Sequence, residues 1–283
     1  MTTTFTEAAS SKYADAGNVR IHYNDVGAGP VMICIHGGGP GANSWSTFTS
    51  NVEEFARHHR VLLVDLPQFG KSAKIAIDGP QLTTLASIMN DFMAELKIDS
   101  AAFVGNSFGG QVAIKLAIDF PERVSHLVVL GSAPVIHSIF APMPVEGVKL
   151  IGAYYRDGGP SLAKMRAILS TLLFDQSRLT DAMVRERYEA SIDPEILELK
   201  KGPPPARQDL TSEFGRVDAP TLVIWGMDDR AGALDVGLLM VRAFQNAQMH
   251  IFSKCGHWAQ VEQARDFNEL VLRFVKSHGP NGA

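Results

Sequence analysis

The strongest constraint on the fold is a repeated alternation of short apolar runs, turn residues and helix-like stretches. The apolar runs are rich in Val, Ile and Leu, which is typical of strands that are buried on both faces. They lie at 31–35, 61–65, 101–105, 126–130 and 221–225, and a further strand is expected at 248–252. Helical periodicity separates them, for example at 82–97, 108–118 and 263–276. This order predicts βαβ crossovers and a mostly parallel sheet flanked by helices, the α/β class. Two earlier segments, 11–15 and 20–23, predict an antiparallel edge.

The strand pattern stops at Pro134 and resumes at Pro220. The residues between them carry several prolines and helical runs at 162–174 and 181–191. We interpret 134–211 as a helical lid inserted after the sixth strand, with 1–133 and 212–283 forming one core. A separate domain is the alternative, but both ends of the insertion return to the same sheet.

Composition excludes several classes of protein. The chain has 283 residues, of which 46% are hydrophobic and 20% charged, and its net charge is −4. The basic residues are scattered, so we expect neither a nucleic-acid partner nor a membrane partner. Every apolar run is far shorter than the roughly 18 residues of a membrane-spanning helix. Two cysteines, Cys34 and Cys255, fit a reducing compartment, which predicts a cytoplasmic protein.

A nucleophile motif follows one of the buried strands. The segment from Gly105 to Gly109 reads G-N-S-F-G, which matches the pattern G-x-S-x-G, and it opens the helical stretch at 108–118. This strand–turn–helix context is what a nucleophile elbow requires, because it projects the serine above the end of the strand. Ser107 is therefore the candidate nucleophile. A turn that merely packs a helix on a strand is the alternative.

A serine needs a base to remove its proton, and the base needs an orienting acid. His257 is the candidate base, since it lies in the loop after the strand at 248–252. Asp228 and Asp229 follow the preceding strand. We prefer Asp228 as the acid and expect Asp229 to pair with Arg230. The chain order Ser107, Asp228, His257 is that of the α/β-hydrolases.

The glycine-rich loop after the strand at 31–35 supports two interpretations. Its N–H groups, at Gly38 and then Gly39, would form an oxyanion hole together with the N–H of Phe108. The same loop also fits the dinucleotide-binding pattern G-x-G-x-x-A, with Asp65 ending the next strand. Pro40 argues against phosphate binding, because it removes an N–H group from the turn.

Several segments together resemble the meta-cleavage-product hydrolases, which are α/β-hydrolases of bacterial aromatic catabolism. The segments are HGGGPGANSW, GNSFGG, FAPMPVEGVKL, LLFDQS, WGMDDR and FSKCGHWAQVE, spread over residues 12–277. The resemblance implies hydrolysis of a carbon–carbon bond in 2-hydroxy-6-oxo-hexa-2,4-dienoates. A dienol first tautomerises to a ketone, and the serine then attacks the distal carbonyl. The products are a 2-hydroxypentadienoate and a carboxylic acid. The resemblance implies no metal or organic cofactor, and it suggests a homo-oligomer.

The resemblance also implies a set of substrate-binding residues. Arg187 would bind the substrate carboxylate, since a guanidinium suits that group. Asn106 and Trp258 would contact the dienoate end. Thr47 stands where several members have Asn, and Leu172 replaces an aromatic residue of the lid. With Gly39 these residues complete the predicted binding set.

Two other functions stay open at this point. A carboxylesterase or a peptidase similar to proline iminopeptidase would share the same fold and the same reactive serine. An aminopeptidase would need acidic lid residues to hold an amine. A non-catalytic binding protein with a hydrolase fold is the remaining alternative.

Overall fold

The computed structural model of the chain describes residues 5–135 and 137–277. Within them eight strands form one sheet. The strands are β1 (Ser11–Ala16), β2 (Val19–Gly27), β3 (Val31–Ile35), β4 (Arg60–Val64), β5 (Ala101–Asn106), β6 (Val124–Leu130), β7 (Thr221–Gly226) and β8 (Ala247–Phe252). Their order across the sheet is β1-β2-β4-β3-β5-β6-β7-β8.

Helices occupy both faces of the sheet and the segment between β6 and β7. They are α1 (Glu7–Ser10), α2 (Ser44–Phe48), α3 (Val52–Ala56), α4 (Gln81–Glu95), α5 (Phe108–Asp119), α6 (Glu146–Ala153), α7 (Leu162–Leu172), α8 (Asp181–Ser191), α9 (Pro194–Leu199), α10 (Leu234–Ala243), α11 (Ala259–Glu262) and α12 (Ala264–Ser277). Short 3₁₀ turns lie at Pro121–Arg123, Gln176–Arg178 and Thr211–Arg216. None of the helices in the described ranges is long and apolar enough to cross a membrane.

The strand directions confirm the predicted fold class. β1 pairs with β2, and β2 with β4, in antiparallel orientation, whereas the other five pairings are parallel. The antiparallel edge expected at 11–15 and 20–23 is present as β1 and β2. Parallel strands need helical crossovers, and these bring the carboxyl ends of β3 and β5 to β8 to the same edge of the sheet.

Two apolar layers cover the sheet. Every residue of β5 is buried, as expected for a strand covered on both faces. On one face α4, α5 and α10 contribute Phe92, Val112 and Met240, among others. On the opposite face α2, α3 and α12 contribute Phe48, Phe55 and Phe267. The sheet therefore forms the rigid support on which the loops of the candidate site are held.

Helices α6 to α9 form the region between β6 and β7. A small apolar cluster that includes Tyr154, Met165, Val184 and Trp258 packs α6, α7 and α8 together. Two of the helices, α7 and α8, match the predicted helical runs. The two shorter helices, α6 and α9, were not expected from periodicity. The division into core and lid at 134 and 211 stays a prediction.

Three glycines bring the β5–α5 turn against its neighbours. A Cβ atom on Gly105 would lie 2.5 Å from the Cα of Gly110. A Cβ atom on Gly109 would lie 2.5 Å from the carbonyl oxygens of Ile35 and His36. Real Cβ atoms do not approach backbone atoms this closely, so the loop after β3 and the start of α5 can meet only through glycine.

We expect Gly109→Ala to lower the free energy of unfolding by about 1–3 kcal/mol, because the methyl group overpacks a backbone contact. Urea unfolding followed by circular dichroism measures this change. Gly152→Ala is the control, since Gly152 also lies in a helix and no atom lies within 4 Å of the position of its Cβ. Equal stability of the Gly109 variant and the native chain would contradict the close approach.

Candidate active site

Ser107 lies at the sharp turn between β5 and α5. Its φ of 52° and ψ of −114° place this L-residue in a region that non-glycine side chains rarely adopt. Its N–H donates to the carbonyl of Leu130 at 2.7 Å, which anchors the turn to the end of β6. Strain of this kind persists only where the surroundings hold it, and it is characteristic of functional turns. The elbow predicted from the motif at 105–109 has this geometry.

His257 and Asp229 form a buried pair beside the end of β7. The Nδ1 of His257 lies 2.7 Å from Oδ2 of Asp229, and the two side chains are 4% and 1% exposed. The other carboxylate oxygen accepts the N–H groups of Ala231 and Gly232 at 2.7 and 2.8 Å. Both oxygens of the carboxylate are thus engaged. Because Nδ1 faces the carboxylate, Nε2 is the ring nitrogen left for a reacting proton.

The expectation that Asp228 orients His257 is therefore wrong. Asp228 is exposed, and its backbone N–H donates to the carbonyl of Cys255. The expected pairing of Asp229 with Arg230 is not found either, since Arg230 binds Glu146 on α6 at 2.6 and 2.8 Å. The turn after β7 directs the first aspartate outward and the second toward the base. The sequence holds no local signal for this choice, because both aspartates are followed two and three residues later by residues that carry an N–H group.

Glycine at position 131 makes room for the imidazole. Gly131 follows β6 with a φ of +55°, and a Cβ atom there would lie 2.7 Å from Nδ1 and Cε1 of His257. Both the backbone conformation and the space therefore require glycine. We did not identify this residue from the sequence, because its partner is distant along the chain.

A buried carboxylate also fixes the loop that carries the base. One oxygen of Glu262 accepts the N–H of Gly256 at 2.7 Å. The other accepts the N–H groups of Phe174 and Asp175, after α7, at 2.9 and 2.8 Å. Glu262 thus joins the loop of His257 to the segment that follows α7.

The glycine-rich loop lies directly over the serine turn. A Cβ atom on Gly37 would lie 3.4 Å from the Cβ of Ser107, and one on Gly38 would lie 2.9 Å from the Cβ of Phe108. The predicted oxyanion donors, Gly38 and Phe108, therefore belong to two backbone segments that touch. This is the arrangement in which two N–H groups can face one substrate oxygen.

The side chain of His36 holds this loop from beneath. Its Nε2 accepts the N–H of Leu66 at 3.1 Å, so the ring proton resides on Nδ1, which donates to the carbonyl of Gly37 at 2.7 Å. Burial lowers the pKa of His36, which keeps the ring neutral. The adjoining peptide is thereby fixed in orientation. Asp65, which follows β4, also fixes the end of this loop, because its carboxylate accepts the N–H of Ser44 at 2.9 Å.

This arrangement leaves the dinucleotide interpretation without support. Asp65 would have to face the ribose of the cofactor, but it is buried and lies 2.8 Å from Nδ1 of His22. Its other contacts are also internal, including the N–H of Lys71 at 3.1 Å. The carboxylate is used to hold the chain, not to face a ligand.

A cavity of about 510 Å³ opens above these groups. Ser107, Phe108 and His257 line its floor together with the glycine loop. Its walls come from the segment between β6 and β7, including residues of 143–152 and 200–208 together with Leu172 and Arg187. Among its described lining residues none is an aspartate or a glutamate. The cavity therefore suits an anionic or neutral ligand better than an amine.

Arg187 extends from α8 to the glycine loop. Its Nε donates to the carbonyl of Pro40 at 2.8 Å, and its guanidinium carbon lies 5.8 Å from the centre of the Trp258 ring. Burial lowers the pKa of Arg187 to about 10, so the side chain stays charged at neutral pH. No carboxylate within the described ranges forms an ion pair with it. A desolvated cation beside an open cavity is well placed to bind a ligand anion.

The remaining predicted binding residues also line the cavity: Gly39, Thr47, Asn106, Leu172 and Trp258. Thr47 has its hydroxyl engaged, because Oγ1 donates to the carbonyl of Asn43 at 2.7 Å. Asn106 lies beside the nucleophile, and its amide donates to Leu130 at 3.4 Å. The carbonyl of Leu172 accepts the N–H of Trp258 at 3.2 Å, which links the end of α7 to the residue after His257.

Comparisons with known proteins agree with this geometry. Residues 30–264 match the family model described as the alpha/beta hydrolase fold. A 2-hydroxy-6-oxononadienedioate/2-hydroxy-6-oxononatrienedioate hydrolase of Paraburkholderia phymatum is 39% identical, and the match covers 97% of this chain and 98% of that protein. A 2-hydroxy-6-oxo-6-phenylhexa-2,4-dienoate hydrolase of Burkholderia cepacia is 40% identical over 96% and 99% of the two chains. Among solved structures, the meta-cleavage product hydrolase CumD of Pseudomonas fluorescens IP01 superposes with a TM-score of 0.85 at 31% identity, over 94% and 97% of the two chains.

The chain belongs to the α/β-hydrolase fold family, and within that family it groups with the meta-cleavage product hydrolases. The resemblance drawn from the sequence motifs is thereby confirmed. Its members named above are enzymes, so the hydrolase interpretation takes precedence over that of a non-catalytic binding protein.

We expect Asp229→Asn to slow the reaction of Ser107 with a fluorophosphonate probe by on the order of 10³–10⁴-fold, because the imidazole loses its orienting carboxylate. Labelling is followed by mass spectrometry of the intact protein. Asp228→Asn is the matched control, one residue away, and should change the rate less than about threefold. If only the Asp228 variant lost labelling, Asp228 and not Asp229 would be the acid that orients His257.

Proposed function

We propose that the chain hydrolyses a carbon–carbon bond in 2-hydroxy-6-oxo-hexa-2,4-dienoates, with Ser107, His257 and Asp229 as the catalytic triad. The observation that carries the proposal is that one cavity holds both a strained serine and a half-buried arginine with no carboxylate partner in the described ranges. The serine supplies the nucleophile, and Arg187 supplies the cation that an anionic dienoate requires. The relatives named above act on substrates of this class.

The first stage is tautomerisation of the dienol. The 2-hydroxyl loses its proton and carbon 5 gains one, which gives a 2,6-diketone with a double bond between carbons 3 and 4. Arg187 would bind the carboxylate at carbon 1, with Asn106 and Trp258 beside the dienoate end. In this orientation the carbonyl at carbon 6 faces Ser107.

The second stage is attack by the serine. His257 accepts the hydroxyl proton through Nε2 while Oγ bonds to carbon 6, and the N–H groups of Gly38 and Phe108 bind the resulting oxyanion. The bond between carbons 5 and 6 then breaks. Its electron pair moves through the conjugated chain to the oxygen on carbon 2, which takes the proton held by His257 and gives 2-hydroxypentadienoate, leaving His257 neutral. The acyl group stays on the serine.

Water completes the reaction. His257 removes a proton from the water as it attacks the acyl ester, and the serine leaves with that proton. The carboxylic acid is released. All steps use proton transfer and electrostatic stabilisation by residues of this chain, so we propose that the enzyme needs no cofactor.

An esterase or peptidase of the same fold is the second candidate. A peptidase that binds a free amino group would need a carboxylate in the cavity, and none is present among the described lining residues. A simple ester carries no negative charge and would leave Arg187 unpaired. The carboxylate of a dienoate would pair with Arg187, so we favour a dienoate over an ester as the substrate.

We further propose a cytoplasmic location and a homo-oligomeric state. Cys34 and Cys255 are both buried and unpaired, which suits a reducing compartment. The oligomeric state follows from the family resemblance and is measured by light scattering of the purified chain.

The yellow colour of conjugated dienoates gives the first test. We expect the native chain to bleach a 6-phenyl dienoate and to release benzoate, whereas Ser107→Ala should lose at least 10³-fold in kcat because no acyl ester can form. Absorbance and chromatography of the products measure both. Rapid cleavage of p-nitrophenyl esters with no turnover of any dienoate would favour the esterase instead.

Arg187→Gln should lower kcat/KM for a dienoate by about 10²-fold, because a charge-assisted bidentate contact is lost. The same change should alter kcat/KM for a neutral ester less than about threefold. Arg185→Gln, two residues earlier on α8 and exposed, is the matched control. Equal losses for the two substrate types would show that Arg187 does not bind the carboxylate.

A further inference from the structure

A second serine, histidine and aspartate are hydrogen-bonded in a row at the antiparallel edge of the sheet. The hydroxyl of Ser11, at the start of β1, lies 2.8 Å from Nε2 of His22 on β2. Nδ1 of the same ring lies 2.8 Å from Oδ2 of Asp65. The carboxylate fixes the ring proton on Nδ1, so Nε2 accepts the hydrogen bond of the serine. This is the order of contacts by which a base activates a serine hydroxyl.

The carboxylate of this second group is held by backbone N–H groups, as that of Asp229 is. Oδ1 of Asp65 accepts the N–H of Ser44 at 2.9 Å, and Oδ2 also accepts the N–H of Lys71 at 3.1 Å. Burial acts to raise the pKa of Asp65, but the hydrogen bonds from His22 and Ser44 help to hold that pKa below its ordinary value. The carboxylate is therefore charged at neutral pH and can stabilise an imidazolium.

The imidazole is buried, whereas the serine beside it is only half-buried. His22 is 2% exposed, and its backbone N–H donates to Oγ of Ser72 at 2.8 Å. The ring of Tyr13 packs against the imidazole, with 5.2 Å between the ring centres. Ser11 is half-buried. A small reagent can therefore reach the hydroxyl, whereas water can reach Nε2 only past the serine.

The surroundings of Ser11 differ from those of Ser107 in the helix end that each serine adjoins. Ser107 precedes α5, and its turn lies against the glycine loop that carries Gly38. Ser11 follows α1, so the helix end beside it carries carbonyl groups and not N–H groups. An oxyanion formed at Ser11 is stabilised less than one formed at Ser107. We therefore expect Ser11 to be the slower of the two nucleophiles.

We propose that Ser11 is a second nucleophilic serine, which takes up an acyl group from a small activated ester. Oγ bonds to the carbonyl carbon while His22 accepts the hydroxyl proton through Nε2. The bond between that carbon and the alcohol oxygen then breaks, and the alcohol leaves with the same proton. The new acyl group covers Nε2, so water is not activated there and the acyl ester persists. Ser11 is thus a modification site, independent of the dienoate reaction.

Ser125 provides a comparison within the same chain. It is exposed, and its Oγ lies 3.1 Å from Nδ1 of the adjacent His126. It is therefore also a serine beside an imidazole, but the ring presents Nδ1 to it and not Nε2. If exposure or a neighbouring histidine were sufficient for reactivity, Ser125 would react at least as fast as Ser11.

The first experiment treats the Ser107→Ala chain with p-nitrophenyl acetate. We expect a single burst of p-nitrophenol equal in amount to the protein, with the acetyl group located on Ser11 by peptide mass spectrometry. Adding Ser11→Ala should abolish the burst, and adding Ser125→Ala should leave it unchanged. The burst should be on the order of 10²-fold slower than acylation of Ser107 in the native chain, since oxyanion donors contribute about that much. It should also be slower in D₂O, because a base removes the proton.

The second experiment replaces each serine by cysteine, a change that keeps the size of the side chain nearly the same. We expect iodoacetamide to alkylate Ser11→Cys about tenfold or more faster than Ser125→Cys at neutral pH, because His22 and Asp65 stabilise the thiolate and imidazolium pair. Cys34 and Cys255 are buried and should not compete. Circular dichroism checks that both variants are folded.

Either of two results would overturn the inference. One is a Ser107→Ala chain that is not acetylated on Ser11, or is acetylated there no faster than on Ser125. The other is equal alkylation of the two cysteine variants. Both would show that the contact between Ser11 and His22 only joins β1 to β2.

Discussion

The site depends on how closely backbone segments approach one another at the carboxyl edge of the sheet. The loop after β3, the turn after β5 and the turn after β6 are each in contact with a neighbour at a distance that excludes a Cβ atom. Glycine is required at Gly109 by the carbonyls of β3 and at Gly131 by the imidazole of His257. These contacts set where the serine, the oxyanion donors and the base can lie. The aspartate then completes an arrangement that the backbone already defines.

The fold was predictable to the extent that its signals are local. The apolar runs at 31–35, 101–105 and 221–225 correspond to strands in the structure because buried parallel strands have a simple pattern. The nucleophile was predictable for the same reason, since Gly105, Ser107 and Gly109 lie within one turn. The short helices α6 and α9 have too few turns to show a clear period.

The acid of the triad was not predictable from order along the chain. Asp228 and Asp229 are adjacent, follow the same strand and have the same chemistry, so only the direction of the turn separates them. That direction is set by N–H groups farther along and by the position of His257 in space.

The contacts of the two carboxylate oxygens of Glu262 restrict which segments can be exchanged between related enzymes. One oxygen accepts an N–H group of the loop that carries His257, and the other accepts two N–H groups of the chain after α7, so both segments are held by the same carboxylate. A segment taken from a relative to replace the one between β6 and β7 would bring its own backbone to this carboxylate. If the two N–H groups did not arrive at the same place, a buried charge would lose its partners and the base loop would shift with it. The segment between β6 and β7 is therefore exchangeable only together with Glu262 and the loop of His257 that it fixes.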